Sequence, residues 1–127
     1  METPVFAPML VIPNGITDVS FYTKAFDAEE VRRFTNNDGT IHVVEFSIAG
    51  ATLHLHEQWA TGMVSPEKAG ASTVSVNMFV QDVDAVVEQA VAAGAKITSP
   101  IQDFDYGYRQ GDIVDPFGHC WQIQKKI

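Results

Sequence analysis

The pattern of turns and apolar alternation occurs twice along this chain, and that duplication constrains the fold more than any single motif. In the first half, residues 8–12 form a short extended apolar run, and Pro13-Asn14-Gly15 then turns the chain. Thr17 or Asp18 is placed to cap a helix reaching about Phe26, with Val19, Tyr22 and Phe26 recurring at helical spacing. Three extended runs follow, at 29–34, 40–48 and 51–57, the first two joined by Asn36-Asn37-Asp38-Gly39, a hairpin signal. The second half reads in the same order. Residues 73–80 alternate, Asp82 caps a helix striped by Val83, Val86, Val87, Ala90 and Val91, and Gly94 ends it. A short strand at 95–98 stops at Ser99-Pro100, and a hairpin of 109–114 and 119–125 turns through Asp115-Pro116-Phe117-Gly118.

Strand, helix and three strands, twice over, predict an α+β domain made of two βαβββ modules, at about 5–58 and 73–127, with 59–72 as linker. Neither module can cover its own sheet, but two packed together can. The expectation is a mixed, partly open sheet with helices on its outer face and the opposite face shaped as a cup.

With 127 residues, 46% of them hydrophobic and 19% charged, the chain has the composition of one globular domain. No apolar run is long enough for a membrane span. Sixteen acidic against eight basic residues leave a net charge of −8, which opposes binding to nucleic acid or anionic membrane and favours cationic small molecules. One cysteine allows no internal disulfide and no Cys-x-x-Cys site. The opening Met-Glu-Thr-Pro-Val-Phe lacks the features of a secretion signal, so the expected compartment is the cytoplasm.

Strand parity gives the candidate cup. It collects Val43, Glu45 and Ser47, then Thr52, His54 and His56, then Ser75, Asn77 and Phe79, with Cys120, Gln122 and Gln124 from the last strand. Neutral polar groups and two histidines on converging strands point to a small-molecule ligand or ordered water. His54 and His56 share a face and have the donors to approach a metal with Glu45 or Glu57, or they are an ordinary half-exposed pair. His42 falls on the apolar parity, and His119 is expected to fix the hairpin or lie near a subunit contact. Cys120 reads as a structural thiol, because its neighbours point the other way. Arg109, among Asp105, Tyr106, Tyr108 and Asp112, either pairs with a carboxylate or holds an anionic group. Trp59 and Met63 either anchor the linker or close over a pocket. Phosphate loops, serine elbows and zinc-protease motifs are missing from the sequence.

Several stretches together carry a resemblance: P-x-L at 8–10, F-Y-x-K-A-F at 21–26, I-H-x-x-E-F at 41–46, V-x-D-V-D at 80–84, A-A-G-A at 92–95, and Y-G-Y-R-Q-G-D-I-V-D-P-F-G-H-C-W at 106–121. The chain resembles the PhnB-like branch of the glyoxalase, bleomycin-resistance and extradiol-dioxygenase superfamily, also called vicinal oxygen chelate. The resemblance implies paired βαβββ modules and a homodimer with sites near its interface. It also implies that metal ligands, where present, come from positions that look here like Ala7, His54, Ser75 and Gln122.

Two function classes follow. One is a small-molecule binding protein of the drug-sequestering type, without catalytic metal, that holds a cationic or aromatic ligand in the cup or dimer groove. The pocket expected for it comprises Glu45, His54, His56, Trp59, Ser75, Asn77, Phe79, Tyr106, Tyr108, Arg109, Cys120 and Gln122, with Glu57 alongside. The other is a metal-dependent lyase, isomerase or dioxygenase, with zinc, nickel, manganese or iron on His54, His56 and Gln122.

Overall fold

The computed structural model describes residues 2–127, so Met1 of the opening segment lies outside the described residues. In chain order the elements are β1 (Met9–Ile12), α1 (Phe21–Phe26), β2 (Glu29–Thr35), β3 (Ile41–Ile48), β4 (Ala51–Glu57), α2 (Pro66–Ala69), β5 (Ser75–Phe79), α3 (Val83–Ala93), β6 (Lys96–Phe104), β7 (Tyr108–Val114) and β8 (Cys120–Lys126). They make an α+β fold with two four-stranded mixed sheets, ordered β1-β4-β3-β2 and β5-β8-β7-β6. The same order occurs in both halves, and in each the first strand runs parallel to the last. A helix makes the crossover that such a parallel pair requires.

One apolar core serves both sheets. Leu10, Ile12, Phe46 and Leu55 of the first meet Ile113, Trp121 and Ile123 of the second through α1 and α3. Tyr22 of α1 has its ring 5.7 Å from Phe46 and 6.2 Å from Trp121, and Phe26 stands 4.7 Å from Trp121. The helices thus cover the face that carries these residues. The alternate residues of each strand face the other way.

The outer edges are protected against pairing with another chain. On β2 all seven residues are exposed, and Glu29, Glu30, Arg32 and Arg33 supply charge. The edge strand β6 contains Pro100, which lacks the donor an interior strand would need.

Four local expectations are corrected. The first helix begins at Phe21, because the Asp18 carboxylate accepts the Ser20 N–H at 2.9 Å in a local turn instead of capping a helix. The 58–72 segment contains the short helix α2, with Ser65 as N-cap, Pro66 in the first turn and Gly70 at φ 80° as the left-handed C-cap. Strand β6 does not stop at Ser99-Pro100; register shifts on both sides of Ser99 let it continue to Phe104. Finally, β3 is irregular where Phe34 pairs with Val43 but Thr35 pairs with Ile41, so His42 leaves the apolar parity and is exposed.

The Asp115 turn ties the second hairpin to α1. Its Oδ1 accepts the backbone N–H groups of Phe117 and His119 at 2.9 and 3.0 Å. Its Oδ2 accepts the Tyr22 hydroxyl at 2.7 Å and Trp121 Nε1–H at 3.0 Å. Burial pushes this carboxyl upward more strongly than any single partner acts, but His119, Trp121 and Tyr22 together hold it below the usual carboxylate range. Burial also raises Tyr22 well above an ordinary phenol, and the Asp115 charge adds to that effect.

Candidate functional site

On the first sheet, antiparallel pairing sets Glu45 beside His54 and Val43 beside His56. His56 lies flat on Trp59, with ring centroids 3.9 Å apart and planes 6° apart. The displaced His42 meets His56 edge-on at 4.8 Å, and its Nδ1 lies 2.7 Å from Glu57 Oε2. Asn36 Nδ2–H donates to the same carboxylate at 3.2 Å. Trp59, His56 and His42 therefore form a ring layer at one end of the strands, anchored by Glu57. Glu45 sits near the edge-strand residue Arg32, at 3.9 Å.

On the second sheet the outward face is an amide network. Tyr106 donates its hydroxyl hydrogen to Gln110 Oε1, and Gln110 Nε2–H reaches Gln124 Oε1 and, at 3.4 Å, Gln122 Oε1. Gln122 Nε2–H in turn donates to Asp112 Oδ1 at 3.1 Å. Gln110 and Gln124 are buried, so the network satisfies groups that would be costly alone. Beside it stand the aromatic rings. Phe79 meets Tyr108 at 6.0 Å and 74°, Tyr106 lies 5.8 Å from Tyr108, and Phe104 stacks on Tyr106 at 5.2 Å. Phe79 and Tyr106 remain 57% and 64% exposed, unusual for large aromatic side chains.

The two faces keep to themselves. Among the described residues, no hydrogen bond or ring contact joins the outward face of one sheet to that of the other. Both contribute to the lining of a cavity of about 450 Å³, with Thr52 and Leu53 of β4, Asn77 and Phe79 of β5, and Trp121 among its walls. Ser75 lies on the same strand, its hydroxyl 3.4 Å from Asn77 Oδ1.

Arg109 takes the structural role of its two: it grips Asp84 of α3 bidentately at 3.0–3.1 Å and Asp103 at 2.8 Å, which raises the guanidinium further above its ordinary value. Cys120 is half-buried in register with Ser75 and Val114, neither of which is a base. His119 is buried against Asp115, as expected of a residue fixing the hairpin. Parity reasoning missed Gln110 and Asp112. The signal was available, since both alternate with Tyr108 on β7 and face Gln124 and Gln122.

The residues here do not fit a divalent metal. Register pairs His54 with Met9 and Gln122 with Asn77, two residues on from Ala7 and Ser75. Either choice leaves one strong donor, the imidazole of His54, among alkyl, thioether, hydroxyl or amide groups. Among the described residues no three His, Cys, Asp or Glu side chains converge as a metal would require. No helix among them is long and apolar enough to cross a membrane.

Known proteins agree with this architecture. An uncharacterized protein of Mycobacterium tuberculosis is 34% identical over 128 residues, covering 98% of this chain and 75% of that one. A gene product of Arabidopsis thaliana superposes with a TM-score of 0.75 at 26% identity, over 96% of this chain and 98% of that one. The fosfomycin resistance protein FosX of Listeria monocytogenes shares the fold, with a TM-score of 0.72 at 18% identity over 100% and 96% of the two chains. Residues 17–123 match the family pattern itself, and the chain belongs to the Glyoxalase/Bleomycin resistance protein/Dioxygenase superfamily.

Proposed function

We propose that this protein binds a planar aromatic or cationic small molecule on its outward sheet faces, within a homodimer, and without a resident metal. The observation that carries the reading is the pairing of exposed aromatic rings with a satisfied amide network. Phe79, Tyr106 and Tyr108 offer stacking faces, while Gln122 and Asp112 beside them offer hydrogen-bonding groups. On the other sheet, Trp59 over His56 offers a second stacking layer with Glu45 nearby on the same face. Aromatic faces attract a flat cation through their quadrupole, and a net charge of −8 favours its approach. Within the superfamily, the D-P-F-G-H-C-W segment supports placement in the PhnB-like branch.

A homodimer brings a second copy of each face, and thus a means of closing over a ligand that one open face leaves exposed. The donor set supports the metal-free form of the reading, because Glu45 is the one strong donor in register with His54 and no third His, Cys, Asp or Glu among the described residues converges with them.

Titration with N-methylacridinium tests this. Saturable binding is expected, weakened about tenfold by Tyr108→Ala, in line with about 1–3 kcal/mol for a stacking contact between planar rings. Elemental mass spectrometry of protein purified without chelator is the companion measurement. Near one equivalent of zinc, nickel, manganese or iron per chain, lost in His54→Ala, would overturn the metal-free reading in favour of a lyase, isomerase or dioxygenase.

A further inference from the structure

The outward face of the second sheet carries a carboxylate without a cationic partner. Asp112 alternates with Gln110 on β7, and hydrogen bonds through Gln122 tie both to the same amide network. Asp112 Oδ1 accepts from Gln122 Nε2–H at 3.1 Å, whereas Oδ2 accepts no hydrogen bond from the described residues. That oxygen is open to solvent, in contrast to the two sealed nitrogens of His119. No ion pair among the described residues includes Asp112. Arg109, on the same strand, is engaged by Asp84 and Asp103. Lys126, which alternation places on the face of Gln122, is in register with Tyr108, about 13 Å along β7 from Asp112.

Exposed aromatic surface lies a short distance from this oxygen. Tyr106 donates its hydroxyl hydrogen to Gln110, which is about 7 Å along β7 from Asp112. Phe79 and Gln110 are both in register with Gln124, so they occupy one rung of the sheet, and Asp112 with Gln122 and Asn77 occupies another. The rings of Phe79 and Tyr106 are more than half exposed. A planar molecule stacked on them covers the first rung and needs a substituent to place a charge at the second. An ammonium N–H there gains a charge-assisted hydrogen bond to the open carboxylate oxygen. We propose that the ligand of this face is a planar heterocycle carrying an alkylammonium arm, its ring on Phe79 and Tyr106 and its ammonium N–H donating to Asp112 Oδ2. The inference rests on the reading that the outward faces bind a planar cation, and it assigns Asp112 as the residue that selects among such ligands.

Quinacrine, an acridine with a tertiary-amine arm, and the aminoacridine with the same ring substituents and no arm are the probes, titrated separately by fluorescence into the intact protein. Quinacrine is expected to bind about tenfold more tightly, the ratio falling to near unity in Asp112→Asn, which keeps an acceptor for Gln122. Glu29→Gln removes the same charge from the edge strand of the other sheet and is expected to leave the ratio in place. In the wild-type protein the Asp112 carboxyl carbon resonance is expected to move with quinacrine and not with the armless ring, which keeps the test decisive if Asp112→Asn does not fold. A ratio near unity, with both acridines and N-methylacridinium still bound saturably, would overturn the role of Asp112 and leave the planar-cation reading standing. An equal fall of the ratio in both variants would trace the preference to the charge of the whole protein and would overturn the proposal too. Binding of none of the three would remove the planar-cation reading and this inference with it.

Discussion

The Asp115 carboxylate is surrounded by donors, two backbone N–H groups on one oxygen and the Tyr22 hydroxyl and Trp121 indole on the other. An asparagine of the same shape cannot replace it, because its amide nitrogen would have to face donors on whichever side it lay. Asp115→Asn is expected to cost about 3 kcal/mol, the upper range for hydrogen bonds to a charged group, read as a lower urea midpoint at unchanged slope. The same network predicts an acid limb. The folded-state pKa lies below the unfolded value of roughly 3.9, so the stabilisation is complete above that value and is lost as pH falls through the folded pKa. The Asp115→Asn variant should lack that part of the slope below about pH 4, as urea titrations at stepped pH would reveal. The sequence made only half of this legible. Asp-Pro-Phe-Gly reads as a turn whose Asp accepts a local N–H, as it does, but the bond from Tyr22 spans 93 positions and leaves no local trace.

At the scale of elements, the regular strands were readable and the irregular ones were not. Parity placed Glu45, His54 and His56 on one face because β3 and β4 pair without a break from Val43 to Ile48. It misplaced His42, since a single irregularity next to Thr35 reverses a side chain. The fifteen residues at 58–72 showed no period because α2 has only four residues, although Ser65-Pro66 and Gly70 are its start and stop signals. Strand β7 carries a tight contact of its own. A Cβ on Gly111 would lie 2.7 Å from Cγ1 of Ile101, within the irregular part of β6. Gly111→Ala should therefore destabilise by about 1–3 kcal/mol, as overpacking does. Adding Ile101→Ala should recover part of that loss, and a double-mutant cycle by thermal or urea unfolding measures the coupling. At the start of α3, Asp82 accepts the Ala85 N–H at 3.0 Å, so Asp82→Ala should cost about 1 kcal/mol.

At the scale of the whole molecule, the repeated strand order explains why the fold was legible while the site was only partly so. Two four-stranded sheets share one core, so their outward faces point away from it, and sequence parity lists those faces without saying which of them meet. Phe79 and Tyr106 remain exposed on one face and Trp59 is 39% exposed on the other, surface that a second copy could cover. Sedimentation equilibrium is expected to give twice the chain mass of 13.9 kDa. Phe79→Asp places a charge among those rings and is expected to shift the protein toward monomer and to weaken N-methylacridinium binding in parallel. The parallel matters, because loss of binding in a protein that stays dimeric would place the ligand on one face alone. A wild-type monomer that binds the cation with full affinity would separate the two ideas altogether. The 450 Å³ cavity containing Thr52, Asn77 and Phe79 is a place where a single chain brings residues of both modules together, and the cation would then be expected there.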